Sequence, residues 1–181
     1  MSIFIITDLH FNHKEQMKVY CGRPDNYEDL LFDGLAGLGN EDVLICLGDI
    51  CIGEDLKVHQ KYIEPLRCKK WLVRGNHDTK SDHWYLDHGW DMVCYKFQAK
   101  YYGKTILFSH MPQLYTKPID LLYGAGAYDL NIHGHFHNTS HRSSEVAMKM
   151  VKNFRLRLLS MEVEGYHPIS LQKFISKYEN P

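Results

Sequence analysis

Polar residues able to bind a metal ion follow five separate apolar runs of the sequence. Each run has the length and composition of a buried strand, and each ends in aspartate, asparagine or histidine. Because ligands gather at the carboxyl ends of strands in open α/β sheets, we expect these side chains to converge at one edge. The candidate ligands are Asp8, His10, Asp49, Asn76, His110, His135 and His137.

The ligand set combines carboxylate and carbonyl oxygens with imidazole nitrogens and needs no thiolate. This mixture suits transition metals better than Ca²⁺ or Mg²⁺, which prefer shells made of oxygen alone. Seven ligands are too many for one tetrahedral site, but they suit two adjacent ions that share a bridging carboxylate. We therefore expect two divalent metal ions, with Mn²⁺ in first place and Fe, Zn²⁺, Ni²⁺ or Co²⁺ as alternatives.

The order of these motifs resembles that of the calcineurin-like metallophosphoesterases. The sequence contains DxH at residues 8–10, GD at 48–49, GNHD at 75–78, a separate histidine at 110 and GHxH at 134–137. Residues 8–13, 21–24 and 163–170 resemble a small, single-domain bacterial and phage branch of that family. The resemblance implies an α/β fold, a four-layer αββα sandwich of two mixed β-sheets flanked by helices.

The resemblance also implies a role for each candidate residue. Asp8, His10 and His137 would bind one ion, Asn76, His110 and His135 would bind the other, and Asp49 would bridge them. Two ions about 3.5 to 4 Å apart would share a hydroxide as the nucleophile. His77 would lie over the leaving group as a catalytic acid that protonates the departing oxygen. Asp78 or Asp8 would help to keep His77 protonated.

Four other residues are predicted to contact substrate: Asn12, His13, Arg23 and Arg74. Asn12, His13 and Arg23 lie just beyond a predicted ligand loop, and an arginine can hold a phosphate or a carboxylate through two hydrogen bonds. Solvated surface positions are an equal alternative for these three. Arg74 directly precedes the glycine of the GNHD motif, where a contact that supports the site is the favoured alternative.

Composition places the chain among ordinary globular proteins. Its 181 residues suit a single domain over residues 1–181, and 21 lysine plus arginine against 22 aspartate plus glutamate give a net charge of −1. A nearly neutral net charge gives no overall positive electrostatic potential that would favour strong nonspecific nucleic-acid binding. No apolar run approaches the roughly 20 residues that span a bilayer, and five cysteines without a CxxC pair favour a reducing compartment. We therefore predict a soluble cytoplasmic protein.

Hydrophobic periodicity predicts alternating strands and helices in the first half and mainly strands afterwards, as in an α/β architecture with a mixed sheet. Predicted helices cover residues 13–20, 27–38, 55–66, 81–87 and 119–123, and a last helix begins at Pro168. Residues 92–102 are predicted to pair with 104–109 around Gly103, and residues 155–163 to form a further strand. The segment 138–149 is predicted as a loop or a partial helix.

These observations predict a hydrolase of phosphodiester or phosphomonoester bonds in small or nucleotide-like substrates. A phosphoprotein phosphatase is the nearest alternative, but the GDxxDRG motif of the serine/threonine protein phosphatases is replaced by Gly48-Asp49-Ile50-Cys51-Ile52-Gly53-Glu54. A nuclease would want a basic groove, which the neutral charge balance does not favour. A noncatalytic binding scaffold is the third alternative, and the complete ligand set argues against it.

Overall fold

Two β-sheets form the centre of the molecule. The computed structural model describes residues 1–113, 128–138 and 155–178. The strands of this part are β1 (Ile3–Ile6), β2 (Val43–Cys46), β3 (Lys69–Val73), β4 (Met92–Cys94), β5 (Lys96–Tyr101), β6 (Lys104–Ser109), β7 (Leu130–His133), β8 (Leu156–Leu158) and β9 (Ile169–Ser170).

Both sheets are mixed. The first has the order β4-β3-β2-β1-β9, with β1 to β4 parallel and β9 antiparallel to β1. The second has the order β5-β6-β7-β8, in which β5 and β6 form an antiparallel pair and the remaining pairs are parallel. Strands of both sheets contribute to one hydrophobic core, where the rings of Trp71 and Phe97 lie 5.8 Å apart. This arrangement confirms the predicted α/β fold with two mixed sheets.

Helices accompany the sheets in the described part of the chain. The described helices are α1 (Lys14–Cys21), α2 (Tyr27–Ala36), α3 (Asp55–Val58), α4 (Asp82–Asp87), α5 (Met161–Glu164) and α6 (Leu171–Ser176), and a π-helical turn (His59–Ile63) continues α3. Helix α2 buries Leu31 and Leu35 against the core. Ser81 caps the start of α4, because its Oγ accepts a hydrogen bond from the backbone N–H of Trp84 at 3.2 Å.

Three predicted boundaries are wrong. Met92–Cys94 was expected in the hairpin with β6, but it pairs with β3 in the first sheet, and the chain crosses to the second sheet at Tyr95. The strand predicted over residues 155–163 ends at Leu158 and is followed by α5. Ile169 and Ser170, predicted as the start of the last helix, form β9 beside β1. At β4 the local pattern indicates the strand but not its partner. At Met161–Glu164 and Ile169–Ser170, tertiary contacts override the local pattern, because Met161 is buried in the core and Ile169 pairs with β1.

Two further expectations concern residues outside the described ranges. The helix predicted at residues 119–123 lies there, as does most of the segment 138–149.

None of the described helices is long and apolar enough to cross a membrane. The five cysteines all lie in the described part of the chain and form no disulfide there.

Candidate metal centre

The predicted ligands follow the carboxyl ends of β1, β2, β3, β6 and β7, and the backbone is unusual where they lie. Most residues with a side chain avoid the left-handed region of φ, and entering it costs about 1 kcal/mol or more. Such conformations cluster at functional sites, where surrounding structure holds them. Five of the predicted ligands adopt one: Asp8 (φ 50°), His10 (49°), Asp49 (57°), His135 (70°) and His137 (46°).

Asp8, His10 and His137 form the first group of ligands, here called the Asp8 cluster. Oδ1 of Asp8 lies 3.8 Å from Nε2 of His10 and 3.7 Å from Nε2 of His137. The other oxygen of Asp8 accepts hydrogen bonds from Thr7 Oγ1 at 2.7 Å and from the backbone N–H of His135 at 2.9 Å. All three side chains are buried.

Several polar atoms of the Asp8 cluster find no partner among the described residues. These atoms are Oδ1 of Asp8 and both ring nitrogens of His10. Leaving a buried polar atom without a hydrogen bond is expensive, so native structures rarely do so. In this cluster Oδ1 of Asp8 faces Nε2 of His10 and Nε2 of His137. One carboxylate oxygen and two imidazole nitrogens suit a divalent transition metal. The donor set of this cluster therefore fits a metal ion.

Asp49, His110 and His135 form the second group, here called the Asp49 cluster. Nδ1 of His110 lies 2.7 Å from the carbonyl oxygen of Leu47, so this nitrogen carries the proton that the carbonyl accepts. Nε2 of His110 then faces Asp49 Oδ2 at 3.4 Å, Asn76 Oδ1 at 3.0 Å and His135 Nδ1 at 3.2 Å. These four atoms converge as lone-pair donors would around a cation.

Asp49 lies between the two clusters. Its Oδ2 is 3.6 Å from Nε2 of His10, in the Asp8 cluster, and 3.4 Å from Nε2 of His110. Its Oδ1 accepts a hydrogen bond from the backbone N–H of His77 at 2.9 Å. One oxygen of this carboxylate is therefore held by the protein, while the other faces ligand atoms on both sides.

The surroundings shift the pKa values of three ligand imidazoles in different directions. Burial lowers the pKa of His110, but its hydrogen bond to Asp49 and the charges of Asp8 and Asp49 raise it overall to about 9. Burial also lowers the pKa of His137, yet contacts with Cys21, Glu162 and Asp8 raise it to about 10. For His10, burial outweighs its acidic neighbours, and the pKa falls to about 3.

A glycine brings two loops of the site into contact. A Cβ atom at Gly75 would overlap Oδ1 and the backbone nitrogen of Asp49. The backbone φ of Gly75 lies outside the left-handed region that favours glycine. Gly75 is therefore needed here for space rather than for an unusual dihedral angle, and it allows the GNHD motif to pack directly against Asp49.

The predicted catalytic residue His77 lies at the exposed edge of the site. His77 and Asn76 are both exposed, although the carboxylate that binds the backbone of His77 is buried. The ring of His77 lies 5.5 Å from that of His10, and the ring of His13 lies 5.8 Å from His10. The rings of His77 and His13 therefore both lie beside His10 of the Asp8 cluster.

The predicted role of Asp78 in protonating His77 gains no support from its contacts. The carboxylate of Asp78 accepts backbone hydrogen bonds from Asp49 at 2.8 Å, Ile50 at 3.0 Å and Gly75 at 2.7 Å. Burial raises the pKa of Asp78, and its bonds to Gly75, Ile50 and Asp49 oppose that rise. Asp78 is thus occupied in holding the backbone of the loops that carry Asp49 and Asn76.

Arg74 supports the same loop. Its guanidinium donates to the carbonyl oxygen of Asp78 at 2.6 and 3.2 Å, to Asp82 at 2.7 Å and to the hydroxyl of Tyr95 at 3.0 Å. These contacts match the supporting role that was the favoured alternative, and they leave the predicted substrate contact without support.

Arg23 was predicted to contact substrate, but its side chain is buried in the protein. It forms an ion pair with Glu162 at 2.8 Å and donates to two backbone carbonyl oxygens of the Asp8 loop. A guanidinium engaged in this way is not available to clamp a phosphate. Glu162, which also contacts His137 at 3.1 Å, is a site residue that the sequence analysis missed.

Asn12 lies at the surface beside the site. Its backbone N–H donates to Glu28 Oε1 at 2.7 Å, and its side-chain nitrogen donates to the carbonyl oxygen of Ile52 at 3.1 Å. Asn12 and His13 also line a cavity of about 520 Å³. The predicted contact of these two residues with substrate stays a prediction.

Comparison with known proteins gives the family. The model of the calcineurin-like phosphoesterase family matches residues 1–176. The chain therefore belongs to the calcineurin-like phosphoesterases. Members of this family typically bind divalent metal ions, which agrees with the two ligand clusters.

Two relatives match over nearly the whole chain. The uncharacterized protein MJ1445 of Methanocaldococcus jannaschii is 27% identical over 189 residues, covering 98% of this chain and 91% of the relative. AQ665, a protein of unknown function from Aquifex aeolicus, has a crystal structure that is 26% identical and superimposes with a TM-score of 0.71, covering 97% of this chain and 98% of that one. The likeness to the AQ665 structure supports the fold of the described residues.

Proposed function

We propose that this protein is a dinuclear metal-dependent phosphoesterase that hydrolyses phosphodiester or phosphomonoester bonds in small or nucleotide-like substrates. The observation that carries the proposal is the position of Asp49 Oδ2, 3.6 Å from Nε2 of His10 and 3.4 Å from Nε2 of His110. A carboxylate oxygen placed between two ligand clusters suits a bridge between two ions. Asn76 contributes an uncharged oxygen, which limits the negative charge of the centre.

Bound divalent ions would act as Lewis acids and supply a nucleophile at neutral pH. The protein's own part is to orient the phosphoryl group and to protonate the leaving oxygen. His77 is suited to the proton transfer because it is exposed at the rim while its backbone is fixed by Asp49. An exposed acid that is anchored through its main chain can reach a leaving group without competing for the metal.

The cavity next to the site supports a small substrate rather than a long polyanion. It has a volume of about 520 Å³ and extends from Asn12 and His13. Its charged lining residues are Lys14, Glu15, Glu28, Glu54, Lys57 and Lys61. Lysines and glutamates are equal in number, so the cavity lacks the uniformly basic lining that a nucleic-acid backbone requires. A nucleoside or another compact substituent of a phosphate fits this volume.

Metal-reconstituted protein tests the proposal. Metal-stripped protein is loaded in turn with Mn²⁺, Fe²⁺, Zn²⁺, Ni²⁺ or Co²⁺ and assayed with a bis-aryl phosphodiester, an aryl phosphomonoester, cyclic nucleotides and a phosphopeptide. We expect metal-dependent turnover of at least one aryl ester, with Mn²⁺ the best of the five. Turnover restricted to the phosphopeptide would instead indicate a protein phosphatase. Stoichiometric metal binding without turnover of any probe would indicate a noncatalytic scaffold.

A further inference from the structure

We infer that the buried ion pair between Arg23 and Glu162 positions the ligands of the Asp8 cluster and sets its metal affinity. The two residues are 139 positions apart in the sequence, and their side chains are 0% and 5% exposed. Burying an ion pair is costly unless additional hydrogen bonds satisfy both partners. Here both partners make such bonds, and each bond leads to a residue of the Asp8 cluster or to its immediate support.

Glu162 orients the ring of His137. Oε1 of Glu162 lies 3.1 Å from Nδ1 of His137, and Oε2 accepts a hydrogen bond from Ser160 Oγ at 2.7 Å. A histidine that donates its Nδ1 proton to a carboxylate presents Nε2 as a lone-pair donor. Nε2 of His137 does face Oδ1 of Asp8, at 3.7 Å. A terminal nitrogen of Arg23 also lies 3.4 Å from Nδ1 of His137, but the carboxylate of Glu162 is nearer and can only accept a proton. Glu162 therefore favours the tautomer and the ring direction in which Nε2 of His137 can bind a cation.

Arg23 holds the loop that carries the other two ligands of the cluster, Asp8 and His10. Its Nε donates to Glu162 Oε1 at 2.8 Å, while its two terminal nitrogens donate to the carbonyl oxygens of Asp8 at 2.7 Å and Leu9 at 3.0 Å. The planar guanidinium can satisfy these three acceptors at once, whereas a lysine could not. The bonds fix a turn in which Asp8 and His10 both have positive φ.

The Asp49 cluster depends on different supports. His110 is oriented by the carbonyl oxygen of Leu47, and the backbone at Asp49 is held by Asp78. The contacts described for Arg23 and Glu162 lead to Asp8, Leu9, Ser160 and His137. Loss of the pair should therefore weaken one metal position and leave the other largely intact.

The test compares Glu162→Gln with Glu164→Gln. Glu164 is a matched control because it lies in the same helix as Glu162 but forms an ion pair with Lys177. Bound Mn²⁺ is counted per chain after gel filtration, and affinities are measured by calorimetric titration. Partners that orient a ligand typically contribute 10- to 100-fold to metal affinity. We expect two ions per chain in the wild type and in Glu164→Gln, and a 10- to 100-fold weaker second ion in Glu162→Gln. Unchanged affinities in Glu162→Gln, or an equal loss of both ions, would overturn the inference.

Asn76→Ala identifies the position that is affected. Asn76 lies 3.0 Å from His110, so its loss should weaken only the ion of the Asp49 cluster. We expect Asn76→Ala and Glu162→Gln each to retain about one tight ion, and the double variant to retain none. Retention of one ion in the double variant would place both effects at the same position and contradict the inference.

The inference rests on the proposed function, which supplies the expected number of two ions. Different results would contradict the inference and the proposed function. A wild type that binds fewer than two ions would count against the proposed dinuclear centre. Two ions bound with the same affinities in the wild type and in Glu162→Gln would overturn the inference alone. Should Glu162→Gln fail to fold, Ser160→Ala replaces it, because this change removes only the hydrogen bond to Oε2. A smaller but selective loss of the same ion supports the inference, and unchanged binding overturns it.

Discussion

Oδ2 of Asp78 accepts a hydrogen bond from the backbone N–H of Asp49 at a distance of 2.8 Å. The same carboxylate also binds the backbone N–H groups of Ile50 and Gly75. It thereby joins the loop after β2 to the loop after β3. Asp49 can place its own carboxylate between the two ligand clusters because a second, buried carboxylate holds its main chain.

Replacement of Asp78 by Asn tests this support. An amide of the same shape presents an NH₂ group to at least one of three N–H donors, which leaves a buried donor without an acceptor. We expect the free energy of unfolding of metal-free protein to fall by about 2 to 3 kcal/mol. Urea denaturation measures this change. Asp82→Asn is the control, because Asp82 is half exposed and pairs with Arg74. Equal urea midpoints for Asp78→Asn and Asp82→Asn would contradict the role of Asp78.

Gly75→Ala tests the close approach of the same two loops. An added Cβ would overlap the side chain and backbone nitrogen of Asp49, so the carboxylate must move. Forcing atoms into a packed site costs about 1 to 3 kcal/mol. We expect that loss in urea denaturation together with weaker binding of both metal ions, because Asp49 contacts both clusters.

Gly37→Ala provides the comparison for Gly75→Ala. Gly37 has a helical φ of −73°, and a Cβ there would meet its nearest atom at an ordinary 3.5 Å. This variant should bind metal as the wild type does. If Gly75→Ala also bound both ions with unchanged affinity, the space at Gly75 would not matter to the site.

Asp49 and His77 should separate metal binding from proton transfer. Asp49→Ala removes the oxygen shared by the two clusters, so it should lose metal and activity together. His77→Ala leaves every predicted ligand in place, so it should keep both ions and lower kcat about 10²- to 10⁴-fold, the range for a general acid. Metal content by atomic emission and steady-state kinetics measure the two effects. Equal metal loss in both variants would refute this division.

Much of the site could be predicted because its residues directly follow apolar, strand-like runs in the sequence. A strand that ends in Asp-Leu-His or Gly-Asn-His is visible without any knowledge of the fold, and parallel strands bring such ends to one edge. The clusters around Asp8 and Asp49 contain six of the seven predicted ligands, and Asn76 lies 3.0 Å from His110.

The supporting contacts could not be predicted in the same way. Glu162 lies in a short helix that was predicted as part of a strand, and its partner Arg23 is 139 residues away. An isolated glutamate carries no local signal of burial. The placement of β4 in the first sheet was missed for a related reason, because β-rich residues indicate a strand but not its neighbour.

His59 should make the stability of the protein depend on pH. Its side chain is fully buried, and its ring packs against those of Trp84, Tyr85 and Trp90. Burial lowers the pKa of His59 from 6.5 to about 4, although its hydrogen bond to the Asp55 carbonyl opposes this. The native state therefore holds His59 neutral, whereas the unfolded chain protonates it near pH 6.5.

The sign of the effect follows from this difference. The contribution of neutral His59 is fully present above pH 6.5, decreases as the pH falls, and is lost below about pH 4. Its size is up to about 3 kcal/mol, at about 1.4 kcal/mol for each pKa unit. Urea denaturation of the metal-free wild type and of His59→Asn from pH 7 to pH 4 separates the contribution of His59 to the free energy of unfolding from that of other titrating groups. The wild type should lose up to about 3 kcal/mol more than His59→Asn, whereas exposed His83→Asn should follow the wild type. Parallel curves for the wild type and His59→Asn would show that His59 is already protonated, or not desolvated, in the native state.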